Sequence, residues 1–252
     1  MNSEWGITGE KNMKKRIKKI VVFLVLATVS IVSCKEIFFN GDENTRVLSL
    51  EDFHAVEITG IYNIVLVQDS TNRLVITGKN DINSIDAIIN NDTLFINDHK
   101  KMSLNTERNT IALHFSNIDY MVTYDPVNVT NTGIIKAETF IYLAIGEIVE
   151  VRLAVDCNFL YAVVSANTLG YFHLTGKAND CVFFNRYGCS MFADSLTSEN
   201  AEIVNESIGD VHVNASENIK AFIWGPGNIY YYGTPIIEIA EKRGGGNMIR
   251  AD

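Results

Sequence analysis

The stretch SENAEIVNESIG, residues 198–209, is restated eighteen residues later as SENIKAFIWGPG, residues 216–227. Upstream the pair becomes a series. Asn158, Asn179, Asn200 and Asn218 follow at intervals of 21, 21 and 18 residues, and Thr139, preceded by Glu138, fits one interval earlier. Gly188, Gly209 and Gly227 each lie nine residues after their Asn, and Gly170 lies twelve after. A period near 20 means stacked units, each burying its apolar side only against its neighbours.

Within each unit the apolar residues recur every second position, which marks strands with one face turned inward. Ala201 and Ile203, then Ile219, Ala221 and Ile223, fill one set of inward slots. After the Gly, Phe172 and Leu174, Ser190 and Phe192, Val211 and Val213, and Ile229 and Tyr231 fill another. Two short strands and two bends in about 20 residues cannot make a helical repeat. They predict an all-β chain folded as a parallel β-solenoid, or β-helix, whose coils stack at about 4.8 Å. Asn158, Asn179, Asn200 and Asn218 would then form a column of amides hydrogen-bonded rung to rung, as in other stacked sheets. Gly188, Gly209 and Gly227 would supply bends that need positive φ or close backbone approach.

Residues 51–126 read as an irregular β-rich head. FHAVEITGIYNIVLVQDSTNRLVITG alternates, turns at DSTN and resumes; NDTLFIND and TIALHF add further strands. Regular coils are expected over 127–240, with a tail at 241–252. Within the first of these coils, FIYLAIGEIVEVRLAV, residues 140–155, is apolar at too many positions for the repeat to be phased.

The chain opens with a targeting pattern over residues 1–33. Lys14, Lys15, Arg16, Lys18 and Lys19 precede the 13-residue apolar run IVVFLVLATVSIV, shorter than the roughly 20 residues of a spanning helix. Met13 directly before the basic cluster is an alternative start. The run ends in IVSC, which resembles the lipobox of bacterial lipoproteins and implies acylation of Cys34, with 34–50 as a linker. An acyl chain would hold the domain on a membrane surface without crossing it.

Residues 1–33 hold six of the 21 basic and two of the 30 acidic residues, so the remainder carries a charge of −13. That surface repels nucleic acid, and no basic stripe offsets it. Cys157, Cys181 and Cys189 have no zinc-site spacing and read as small apolar core residues.

His173, Met191, His212 and Tyr230 share the outward slot three residues after the Gly. The two His would stand two coils, about 9.6 Å, apart, too far to share one metal ion. No acid–base pair, metal set or cofactor motif emerges. Trp224, Tyr230 and Tyr232 point outward by the alternation and, with His173 and His212, make a candidate binding surface. Trp224 and Tyr232 also read as a cap on the last coil, a role compatible with a contact surface.

GIYNIVLVQ, the NDTLFI strand, the Asn/Gly coils and above all GPGNIYYYGTP, residues 225–235, resemble the putative auto-transporter adhesin, head GIN domain family over roughly residues 53–249. The resemblance implies a β-solenoid exported by Bacteroidetes-like bacteria and brings no catalytic residues. The expectation is a non-enzymatic, adhesin-like lipoprotein of the cell envelope, anchored at the outer membrane through Cys34 and contacting a glycan or envelope protein. The alternatives are a carbohydrate-active β-helix enzyme and a structural accessory of envelope proteins.

Overall fold

The alternation is realised as strands throughout the computed structural model, which describes residues 37–40, 44–99, 107–165 and 167–251. The targeting segment and Cys34 lie outside the described residues. Residues 37–98 form β1 (Ile37–Asn40), β2 (Asn44–Ser49), β3 (Ala55–Thr59), β4 (Tyr62–Gln68), β5 (Arg73–Gly78), β6 (Ile85–Asn90) and β7 (Thr93–Asp98), with a 3-10 turn at Ile82–Ser84. Then come β8 (Asn109–Phe115), β9 (Tyr120–Thr123), β10 (Val127–Thr132), β11 (Ile135–Ala144) and β12 (Ile148–Val164). β13 (Leu169–Ser207), β14 (Val211–Ile223), β15 (Ile229–Tyr232), β16 (Ile236–Lys242) and β17 (Met248–Arg250) complete the order.

The longer strands bend at corners and so contribute to more than one face of a parallel β-solenoid of about six turns. Face A stacks β7, β3, β9, and then the second halves of β11 and β12. It continues through Val182–Asn185 to Lys220–Ile223 and β16. Face B stacks β8, β4, β10 and the first half of β12, and runs on to β15 and β17. Face C holds the first half of β11 over Val155–Phe159 and Gly176–Asp180. Inward residues of all three faces meet in one core, with Tyr62, Phe115, Phe140, Tyr142, Phe172 and Phe183 its largest members.

Residues 36–252 make one compact unit, so the boundary expected between the head of 51–126 and the coils of 127–240 separates no two cores. Within residues 55–123, β3, β4, β7, β8 and β9 share the solenoid's parallel rungs out of sequence order, while β5 and β6 pair antiparallel. Asp69 explains the reversal of β5. Its Oδ1 accepts hydrogen bonds from Thr71 N at 2.7 Å and Thr71 Oγ1 at 2.9 Å, and Oδ2 lies 2.7 Å from His114 Nδ1. This turn at DSTN sends β5 back antiparallel to β8, and β2 and β1 add antiparallel beyond it. The N-terminal end of face B is thereby closed by antiparallel strands rather than by another coil. At the other end residues 241–252 are not a bare tail. β16 runs to Lys242, and β17 pairs with β15, placing a further half-coil beyond Tyr232.

Candidate functional site

The corner column was expected to be uniform, and it is made of two pairs. Asn179 Nδ2 donates to Asn158 Oδ1 at 3.1 Å, and Asn218 Nδ2 donates to Asn200 Oδ1 at 2.8 Å. Between them Asn200 Nδ2 donates at 2.8 Å to Asp180 rather than to Asn179. That coil therefore advances 20 residues, not 21. The one-residue slip is carried on to face B, where Met191 pairs with Val211 and Phe192 with His212. Met191 is accordingly buried in the core and Phe192 points out, the reverse of the assignment made from Gly spacing.

The consequence is a continuous outward ladder of rings on face B. Tyr171 meets His173 edge-on at 5.0 Å between centroids; His173 stacks on Phe192 at 4.7 Å and 16°. Phe192 meets His212 at 5.2 Å, and His212 stacks on Tyr230 at 4.7 Å and 17°. Tyr232 flanks the end, its hydroxyl 3.5 Å from His212 Nδ1. At the other end Tyr171 Oη donates to Glu150 Oε2 at 2.8 Å, a bond that raises the phenol's pKa, while the Arg152 guanidinium lies over its ring and donates to its hydroxyl. Stacked side chains of this kind hold one another in fixed rotamers.

Trp224 does not join this ladder. It follows the last rung of face A in β14, on the other side of the bend at Gly225–Gly227. Its indole Nε1 donates to Glu241 Oε2 at 2.9 Å, the Arg243 guanidinium lies 4.9 Å over its ring, and Phe184 and Phe222 pack edge-on at 6.3 and 5.9 Å. Nor do Trp224 and Tyr232 end the solenoid, because β16 and β17 lie beyond them. The expected contact surface is thus two strips on different faces.

The bend between faces A and B is held by a buried ladder that spacing did not single out. Asn205 Nδ2 donates to the carbonyls of Gly209 at 3.1 Å and Gly227 at 3.0 Å. Its Oδ1 accepts from Asn185 Nδ2 and from Ser207 N, each at 3.2 Å. Ser207 Oγ donates to the Cys189 carbonyl at 2.7 Å. Asn185, Asn205 and Ser207 are fully buried, so these bonds satisfy backbone groups that water cannot reach. Gly209 and Gly227 serve by close approach rather than by positive φ: a Cβ would strike the Cys189 carbonyl at the first and the Gly209 carbonyl at the second. At Gly188 the obstacle is only the Leu169 side chain.

Cys157, Cys181 and Cys189 are free and buried. Burial pushes their thiols up to about 11, about 12 and about 12 respectively, so they are inert as nucleophiles. Glu202 and Lys220 form an opposite-charge rung, with Lys220 Nζ 3.4 Å from Glu202 Oε2. Among the described residues no helix is long and apolar enough to cross a membrane.

Rungs in register define the class: a parallel β-solenoid, here with a row of stacked rings on the outside of face B. The chain belongs to the putative auto-transporter adhesin, head GIN domain family, whose pattern it matches over residues 52–235. It resembles a putative adhesin from Bacteroides fragilis at 21% identity and TM-score 0.74, over 84% of this chain and 98% of that one. A putative adhesin from Parabacteroides merdae aligns over the same shares at 17% identity and TM-score 0.61. A putative lipid binding protein from Parabacteroides distasonis does so at 18% and 0.60. At these identities the likeness shows the shared fold. No curated protein matches the chain.

Proposed function

We propose that the chain is a non-enzymatic binding module of the bacterial cell envelope, an adhesin-like lipoprotein held at the outer membrane by acylated Cys34, with a glycan or an envelope protein as its partner. The observation that carries this reading is the ladder Tyr171–His173–Phe192–His212–Tyr230 on face B. Its side chains are ordered before any partner arrives, so binding forfeits little rotamer entropy. The ring faces are spent on one another. What they offer outward is a row of ring edges, imidazole nitrogens and the Tyr230 and Tyr232 hydroxyls, suited to hydrogen-bonding a polar, extended partner.

The test is retention on an immobilised panel of polysaccharides and envelope proteins, with product release assayed in the same wells. Retention without product, weakened at least about tenfold by His212→Ala or Tyr230→Ala, is the expected result. Product release that disappears when an outward Asp or Glu is replaced would overturn the non-enzymatic reading. Separately, Cys34→Ala should move the protein from the membrane fraction to the soluble one.

A further inference from the structure

The middle of the outward side of face A is apolar, unlike the outward sides of the other two faces, with Glu57 before it and the Glu202–Lys220 pair after it. One column of directly paired outward residues runs Tyr120, Ile141, Tyr161, Val182. Beside it a second runs Val122, Leu143, Val163, Phe184, and after the slip Val204 and Phe222. Exposed Tyr124 and Ile145 begin a third column at the bend, which passes through the Arg186–Glu206 ion pair before it reaches Trp224. The corresponding outward column on face C reads Lys136, Asp156, Lys177.

Two valines show how far this layer behaves as an interior. Val122 and Val204 keep only 1% and 6% of their surface, yet neither belongs to the core cluster. Their neighbours on the outside bury them; over Val204 the rings of Phe184 and Trp224, from the rungs on either side, close to 6.3 Å. The sequence carries the same signal. FIYLA, FLYAVV and CVFF lose the alternation because both faces of these strands are apolar. Continuous apolar strands are the mark of a sheet covered on both sides. No strand of the solenoid lies over this face among the described residues.

We propose that face A is a homodimer interface, packed sheet on sheet against a second copy of this chain. Shape and size select the occupant. A sheet face is level, and level apolar sheets pack against each other about 10 Å apart, whereas small ligands take concave sites. Six rungs by three columns give a footprint of about 29 by 20 Å, or about 580 Å² before side-chain relief is counted. That approaches the roughly 800 Å² per partner of a stable protein interface. The margins carry the ion pairs Glu202–Lys220, Glu206–Arg186 and Glu241–Arg243, the polar rim that protein interfaces have around an apolar centre. The inference stands apart from the binding role of face B, and a dimer joined through face A leaves both ring ladders outward, where two weak contacts would reinforce each other.

Sedimentation velocity of the full chain across a concentration series tests it. The expected result is a dimer that dissociates at least about tenfold more readily in Val163→Asp and measurably more readily in Val163→Thr, while Lys177→Asp on face C leaves it intact. Val163→Thr is isosteric and suited to a strand, and its unchanged circular dichroism separates lost association from lost folding. A monomer at every concentration, or a dimer indifferent to Val163→Asp, would overturn the proposal. A monomeric wild type that co-floats with phosphatidylcholine vesicles, and ceases to in Val163→Asp, would assign the face to lipid instead and overturn it as well.

Discussion

His212 lies flat against Tyr230, their rings 4.7 Å apart and 17° from parallel, and the contact exists because the two residues are directly paired across β14 and β15. Phe192 holds the middle of the same stack, touching His173 on one side and His212 on the other. Each aromatic pair contributes about 0.5–1.5 kcal/mol beyond area burial. Phe192→Ala should therefore destabilise the fold by about 1–3 kcal/mol, although the side chain points outward. Chemical denaturation measures this, and a change under about 0.3 kcal/mol would mean the stack contributes only shape.

The two amide ladders should respond differently to the same substitution. Asn205 is buried and serves two carbonyls, one amide nitrogen and the Asn185 side chain. Removing it strands groups that have no access to water, at about 1–3 kcal/mol for each such group. Asn200 sits in an exposed column, where water replaces lost bonds. Asn205→Ala is expected to cost at least about 2 kcal/mol and Asn200→Ala under about 1 kcal/mol, by the same denaturation assay. Equal costs would show that the corner is not held by its interior amides.

This contrast also shows where sequence reading succeeded and where it slipped. The repeat was legible because rungs in register demand the same residue type at the same bend, and Asn158, Asn179, Asn200 and Asn218 carry that demand openly. The interior ladder was hidden by one residue: Asn185 follows Asn179 by six positions, while Asn205 follows Asn200 by five. The same slip exchanged Met191 and Phe192 and so concealed the ring ladder. β4 was readable as a strand, but its neighbours β8 and β10 come from distant parts of the chain, and no local pattern announces such pairing. The middle coils resisted phasing for a different reason, since Leu143 and Val163 make the outer face as apolar as the inner.

Gly227 and Gly245 form a matched pair of controls on backbone approach. A Cβ at Gly227 would drive into the Gly209 carbonyl of the rung beneath, whereas at Gly245 it would meet nothing. Neither residue has positive φ, so conformational strain does not separate them. Gly227→Ala should lower the thermal midpoint by several degrees, and Gly245→Ala should stay within about 0.5 kcal/mol of wild type. A neutral Gly227→Ala would mean that the rungs can part at this bend without cost.

Acid should weaken the N-terminal closure through Asp69. Hydrogen bonds from His114 and then Thr71 hold its carboxyl well below the ordinary carboxylate value of about 3.9. A depressed folded pKa contributes stability that is fully present above the unfolded value and is lost as pH falls through it toward the folded one. The gap between wild type and Asp69→Asn should thus be largest near neutral pH and shrink below about pH 4. Denaturation midpoints over a pH series report it. A gap that stays constant into acid would assign the effect to shape at the turn rather than to charge.

The three core cysteines give a probe of whether coils open one at a time. Burial pushes Cys181 and Cys189 up to about 12 and Cys157 to about 11, so at pH 8 almost no thiolate exists in the closed state. Iodoacetamide should leave all three unmodified in the native protein and alkylate all three in denaturant. In sub-denaturing urea the order of labelling follows local opening. Cys157 is the most exposed of the three at 5% and belongs to face C, whereas Cys189 sits beneath the Ser207 hydroxyl at the interior-laddered bend. Cys157 should therefore label first and Cys189 last, with mass spectrometry of peptides giving the order. Simultaneous labelling of all three would instead mean that the solenoid unfolds as one cooperative body, its nearest-neighbour contacts too strong for any single coil to fray.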